Sequence, residues 1–509
     1  MKLHPLTVPA GDVSFGLLAA AGLMSLRVTA GPLNPPSGSV SSTYKTLTEV
    51  EPRIAINSTN TPGDADSMYK ITAAGSYYIV SDVTAPAGKS AIEVDFNVAP
   101  DVTIDLNGFT LRGATGSIHG ISSSGFGHIE ITNGSITGFG QDGAMLDCRD
   151  YRVERVSITN CLHGLVAGGQ GSVSDCFFRE VGGDALFSAS VTHVERCIAW
   201  DCGSGILVAG DSVVTDCMAL GSTYAGIGVG SNSTVRGCTA ESNGAEGFGL
   251  GSHVSISGCV ARSNQVGFLA GEGSVLEGCV SEGNTQHGFW TSDSSILRSC
   301  SATGNQLQGF YAGARTLFEH CSALTNASDG FRANVDATFI NCVSTDNTAD
   351  GFECADSSTF SGCTSNSNGG RGIFAYNAAK ISGCSVNNNV GVGVFGNNGC
   401  HIENNLTRNN QQDGISVNFS CAVIGNNCNG DGAAAGTHGA IKVIGQANRV
   451  EGNNISYADR GLYLTSGGNA VIRNSVKGCT VNFDIVGGND VGPIGSAATA
   501  TSPWANIQY

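Results

Sequence analysis

Eleven cysteines recur at a nearly fixed interval: Cys176, Cys197, Cys217, Cys238, Cys259, Cys279, Cys300, Cys321, Cys342, Cys363 and Cys384, each 20 or 21 residues after the one before. Three residues ahead of every one stands an apolar residue, from Val173 through Leu276 and Phe339 to Ile381. An asparagine column follows in the same register, from Asn243 to Asn410, and usually four residues later a glycine precedes an apolar residue, as in Gly288-Phe289, Gly309-Phe310 and Gly330-Phe331. Self-similarity at this period means stacked units, each touching only its neighbours.

The segments between these columns decide what the unit is. They are short, they end in Gly, Asn, Ser or Asp, and they alternate apolar with small or polar residues over three to five positions, as across 273–293. That is strand periodicity, and no apolar pattern of helical period lasts long enough for a helix. A leucine-rich consensus is missing. The expected fold is therefore all-β, a single-stranded right-handed parallel β-helix (solenoid) of about 18 coils and about 21 residues per coil, with equivalent residues stacked at the strand spacing to give a rod roughly 85 Å long. In such a stack cysteine serves as a small interior hydrophobe, asparagine bridges neighbours at a bend and tolerates a left-handed turn, and glycine supplies a backbone corner.

Beyond the cysteines the apolar column continues as Ile402, Val423, Val450 and Val471, with Asn405, Asn426, Asn453 and Asn474 in the cysteine place. The 73 glycines and 13% charged residues suit a turn-dense solenoid, and 41% hydrophobic residues fill a core without suggesting membrane insertion. A formal charge of −17 with no Lys/Arg cluster argues against nucleic acid as a partner. It allows Ca²⁺, although no cofactor is required by any motif.

Residues 1–30 differ in kind. Lys2 and His4 precede an apolar run from Phe15 to Leu26, and Val28-Thr29-Ala30 offers a cleavage site before Gly31. The run is far shorter than the roughly 20 residues of a membrane span, so it reads as a signal peptide, and the protein as secreted or displayed at the cell surface. The remaining segments are a Pro/Ser/Thr-rich lead at 31–66, an N-terminal cap at 67–112, the parallel β-helix at 113–488 and a closing tail at 489–509. Residues 427–447 enlarge one coil. Nineteen cysteines in an exported chain invite disulfides, but in-register residues on parallel strands have side-by-side Cβ vectors that strain the bridge. Buried free thiols are expected.

Several segments resemble a known family: Gly31-Pro32-Leu33, Glu51-Pro52-Arg53, Thr61-Pro62-Gly63-Asp64, Gly75-Ser76-Tyr77-Tyr78, Val102 to Gly108, Asp459-Arg460-Gly461 and Pro503-Trp504-Ala505-Asn506. The chain resembles exported bacterial right-handed parallel β-helix repeat proteins, distantly like the NosD and pectate-lyase-type solenoids. The resemblance implies fold and export, and carries no established activity with it.

Function is then sought on the outer faces. If the residue after the corner glycine points inward, the next points outward, giving a column Leu207, Gly228, Gly249, Leu269, Trp290, Tyr311, Arg332, Glu353, Phe374, Phe395 and Ser416. Exposed rings at strand spacing would form a flat strip on which sugar rings bury their C–H faces. Trp290, Tyr311, Phe374 and Phe395 are therefore the candidate substrate-binding residues, for a polysaccharide or cell-surface glycan. The residue before the glycine adds His287, Gln308, Asp329, Asp350, Arg371 and Asp413. Asp329, Arg332, Asp350, Glu353 and Arg371 are the candidate catalytic residues, because lyases of this fold hold Ca²⁺ on carboxylates and use a basic residue for proton abstraction, while inverting hydrolases use paired carboxylates. No metal site is assigned, since Asp293, Asp336 and Asp356 each stand alone at a turn. Two classes remain: a polysaccharide-binding protein with lyase or hydrolase chemistry, and a non-catalytic surface, adhesive or assembly protein in which the rod is a spacer and these charges are a solvated ion-pair network.

Overall fold

A computed structural model describes residues 52–97, 100–432 and 436–509, so the signal peptide expected at 1–30 and the lead up to residue 51 lie outside the described residues. Arg53–Tyr509 is one compact unit. Among the described residues there is no helix. A complete coil holds three short strands, such as Phe289–Thr291, Ile296–Arg298 and Ser301–Thr303. Each joins its equivalent in the next coil in parallel, making three stacks, here called first, second and third. The first stack has 20 strands, a little above the expected coil number. Its rungs begin upstream of residue 113: Ile71 pairs with Val94 and Val94 with Ser123, steps longer than the regular repeat that makes the later coils visible in sequence. The second and third stacks merge where His128–Thr137 and Asp150–Thr159 run through both.

Two phenylalanine ladders fill the middle of the rod. Phe248, Phe268, Phe289, Phe310, Phe331 and Phe352 stack with centroids 4.6–4.8 Å apart, and Phe318, Phe339 and Phe360 stack at 4.8 Å. The ladders meet edge to face at 5.5–5.8 Å, the arrangement that ring quadrupoles favour. The eleven-cysteine column faces inward and is buried, and none of the nineteen cysteines is bridged. Its sulfur also works at the corner, where Cys197 N–H donates to Cys217 Sγ at 3.4 Å. Asparagine takes over that task further on, with Cys384 N–H donating to Asn405 Oδ1 at 2.8 Å.

The asparagine column is a continuous buried ladder. At most rungs the Oδ1 accepts both the main-chain and the side-chain amide of the asparagine one coil earlier, as Asn347 does from Asn326 at 2.9 Å. Two expectations about corners need correcting. The left-handed residue is the one before the asparagine, such as Ser242, Ser263, Thr325 and Asp346 with φ of 51–58°. The recurring corner glycines are not left-handed; at Gly309 a Cβ would sit 2.7 Å from Asn326 Nδ2 and 2.8 Å from the Gly330 carbonyl oxygen. Close approach of the next coil excludes a side chain there.

Candidate functional site

Strands of the first stack are buried, exposed, buried in sequence, so one side chain per coil looks outward. Register pairs align these as Leu269, Trp290, Tyr311, Arg332, Glu353, Phe374, Phe395 and Ser416. Trp290 is 39% exposed, Arg332 is exposed, and Tyr311, Glu353, Phe374 and Phe395 are half-buried. Ser416 departs from the expected outward exposure. It is buried because its short side chain lies in register between the longer Phe395 and Lys442.

The residues before the glycines form a second outward column, and hydrogen bonds tie it together along the rod. Gln308 Nε2 donates to Ser328 Oγ at 3.1 Å and to Asp329 Oδ2 at 3.2 Å. Asp329 Oδ1 accepts Asp350 N–H at 3.0 Å, and Asp350 Oδ1 accepts Arg371 N–H at 2.5 Å. Carboxylate oxygens of Asp329, Asp350 and Glu353 thereby come within 4.8 Å of one another. Burial pushes the Asp350 carboxyl above its ordinary value, opposed by the Arg371 N–H and guanidinium. Glu353 is raised by burial as well; Arg332 opposes this and the two aspartates add to it. Arg332 stands 3.6 Å from Glu353, and Arg371 3.9 Å from Asp350. Ion pairs on other faces, Arg196–Asp175 at 2.7 Å and Arg298–Glu319 at 3.0 Å, are closer.

Rings bracket the carboxylates on both sides. Toward the N-terminus, His287 packs on Trp290 and on Tyr311, both with centroids at 5.1 Å, while Trp290 and Tyr311 meet at 5.7 Å and nearly perpendicular. Burial lowers the His287 pKa, which favours the neutral ring. Toward the C-terminus, the Arg371 guanidinium lies 4.0 Å from the Phe374 ring centroid, and Phe374 meets Phe395 at 5.4 Å with a tilt of 49°. The aromatics are therefore two clusters separated by Arg332 and Glu353, and not one flat strip. Their rings turn on edge because neighbouring aromatics one strand spacing apart prefer offset and edge contacts to a face-on sandwich.

Chemically, three carboxylates this close repel one another when ionised, and a shared proton or a bound cation would relieve that repulsion. The spacing is tighter than the roughly 6.5–9.5 Å that inverting hydrolases leave for a water. The isolated turn aspartates keep structural jobs: Asp293 Oδ1 accepts Ala314 N–H at 2.9 Å and Asp356 Oδ1 accepts Asn377 N–H at 3.2 Å. Sequence reasoning overlooked the N-terminal reach of the outward column, where Met145, Val166 and Phe187 precede Leu207 in register. Reading the position after Gly143-Ala144 and Gly164-Leu165 would have found the first two.

Parallel coils, inward ladders and outward columns in register define a β-solenoid with the candidate site on one flank. The chain belongs to the right-handed β-helix family: the model described as "Right handed beta helix region" matches residues 119–260 and 249–386, more than half of the sequence. No curated protein matches it. Similar solved structures include the Azotobacter vinelandii mannuronan C-5 epimerase AlgE4 A-module, 13% identical over 64% of this chain and 89% of that one with a TM-score of 0.33. The Dettilon tailspike protein gp208 is 12% identical over 68% and 61%, with a TM-score of 0.30. The periplasmic alginate epimerase AlgG is 12% identical over 91% and 81%, with a TM-score of 0.22.

Proposed function

We propose that this protein is an exported polysaccharide-binding solenoid that holds its glycan along the outer face of the first stack. The observation that carries the reading is the carboxylate cluster of Asp329, Asp350 and Glu353 bracketed by His287, Trp290 and Tyr311 on one side and Arg371, Phe374 and Phe395 on the other. Rings bury sugar C–H faces, and carboxylates and guanidiniums between them take hydroxyls and charged substituents. Of the chemistries expected for such a face, lyase action fits the cluster better than inverting hydrolysis. The close carboxylates suit Ca²⁺ completed by water and substrate oxygens, whereas inverting hydrolases hold their two carboxyl groups farther apart. Arg332 and Arg371 flank the cluster for a substrate carboxylate.

A glycan-array screen of the mature chain with and without Ca²⁺, followed by calorimetry on the hits and ultraviolet detection of unsaturated product, tests this reading. Binding of an acidic or neutral polysaccharide is the expected result, with chelation weakening it. No binding across a broad panel in either condition would leave the rod as a spacer or adhesive.

A further inference from the structure

Trp290 is not where the outward column turns apolar. In register before it stand Met145, Val166, Phe187, Leu207, Gly228, Gly249 and Leu269, spanning about 29 Å at the strand spacing. Met145, Phe187 and Leu269 are 37–40% exposed. The two glycines make the floor of an open trough of about 650 Å³ between Phe187 and Leu269, and a smaller hollow of about 390 Å³ continues from Phe187 to Met145. Without side chains at Gly228 and Gly249, the floor is bare backbone, and Leu207 Cδ2 lies 2.7 Å from where a Gly228 Cβ would be.

Charge along this half of the face has one sign. Between Glu93 and Tyr311 neither outward column of the first stack carries a lysine or arginine among the described residues, whereas Arg332, Arg371, Lys442 and Arg460 follow beyond. Asp184 lines the smaller hollow and Glu246 the trough, and neither carboxylate has a hydrogen-bond or ion-pair partner among the described residues. Glu246 lies over the floor, with Oε1 3.0 Å from where a Gly249 Cβ would be. The third acid there, Asp142, is already bridged by two imidazoles, His119 Nδ1 at 3.1 Å and His163 Nδ1 at 3.0 Å. With Asp142 so held, Asp184 and Glu246 offer half-buried carboxylate oxygens without a partner beside apolar walls. An ammonium group brought to them would make charge-assisted hydrogen bonds that nothing else in the groove supplies.

We infer that the Met145-to-Leu269 groove takes the amino-sugar part of a glycan, with protonated amino groups on Asp184 and Glu246 and sugar C–H faces on Phe187, Leu207 and Leu269. The inference rests on the reading that this face binds polysaccharide, and adds that its N-terminal half selects cationic residues. The test is calorimetry at 0.15 M salt with three hexasaccharide probes: glucosamine, its N-acetylated counterpart and uncharged β-glucan. Wild-type protein should bind the glucosamine probe at least tenfold tighter than the N-acetylated one. Asp184→Asn with Glu246→Gln, which keeps shape and removes charge, should erase that preference. Asp216→Asn with Glu277→Gln, a change of equal charge beside the second stack, should leave it intact. Equal affinity for the free and acetylated probes in wild-type protein, or an undiminished preference in the groove variant, would overturn the inference while leaving polysaccharide binding standing. Saturation by a lysine-rich amphipathic peptide with no binding of the glucosamine probe would overturn it in favour of a peptide ligand. Failure of every glycan, on this panel and on the array, would remove both readings.

Discussion

Asp350 accepts the main-chain N–H of Arg371 on Oδ1, while the guanidinium of the same arginine stays 3.9 Å from Oδ2 and lies over Phe374, 4.0 Å from the ring centroid. The backbone is fastened and the charge is left facing the ring. An arginine whose task was to neutralise Asp350 would close that distance, as Arg298 does with Glu319 at 3.0 Å.

The carboxylates should therefore cost stability. Asp350 and Glu353 have folded pKa values raised by burial, so between the ordinary carboxyl range near 4 and those raised values the native state holds protons that the unfolded chain has released. Stability then falls as pH rises through that window. Asp350→Asn and Glu353→Gln should raise the melting temperature at pH 7, and the gain should shrink toward pH 4. A lower melting temperature at pH 7 would mark the group as a stabilising ion-pair network.

Asp431 ends the asparagine ladder, accepting the main-chain and side-chain amides of Asn410 at 2.9 and 2.8 Å and the Thr407 hydroxyl at 2.7 Å. Burial is the main cause of its pKa rising to about 6. The sign is the same: its penalty develops as pH rises from about 4 to about 6. Asp431→Asn would extend the ladder without the charge and should stabilise the protein at pH 7 by about 2–3 kcal/mol, measured by denaturant titration at pH 7 and again at pH 4, where the difference should vanish.

Phe339 is fully buried, stacked at 4.8 Å on both Phe318 and Phe360 and touched edge-on by Phe331 and Phe352. Phe339→Ala should cost about 3–5 kcal/mol because coils clamped above and below cannot collapse into the cavity. Tyr311→Ala on the outer column should change stability by less than about 1 kcal/mol. Similar losses in urea denaturation would contradict the inward and outward assignment.

All nineteen cysteines are free in the structure. Thiol titration of the denatured, unreduced protein should count most of them, and finding eight or nine disulfides would refute the buried ladder.

Trp290→Ala with Tyr311→Ala should abolish polysaccharide binding while the melting temperature stays within a few degrees, since half-exposed rings add little to the core. Arg332→Ala or Asp350→Ala should instead lose product formation and weaken binding only in part, because the rings still hold the glycan. Calorimetry beside a product assay separates the two outcomes.

Repetition made the rod legible. When Cys217, Cys238 and Cys259 recur with Val214, Val235 and Ile256 at one offset, only a stack puts them all inside, and the inward and outward order of Phe289-Trp290-Thr291 follows from strand alternation. The same logic named Asp329, Asp350 and Glu353 as neighbours, because in-register residues one coil apart are a strand spacing apart. It did not reach the rungs at Ser67–Ile71 and Ser90–Asp95, whose longer connections hide the period.

What the sequence by itself determined is the coil, its interior ladders and the membership of each outward column. What only the tertiary structure decided is how those side chains turn once aligned. It put Trp290 and Tyr311 nearly perpendicular, laid Arg371 over Phe374 and shaded Ser416 beneath Phe395 and Lys442. It also showed that Gly309 answers to Asn326 of the next coil and not to a turn of its own. A period fixes which residues are neighbours through backbone geometry alone; side-chain direction, burial and pKa depend on the volume and charge of whatever stands one coil above and below, and those differ at every rung.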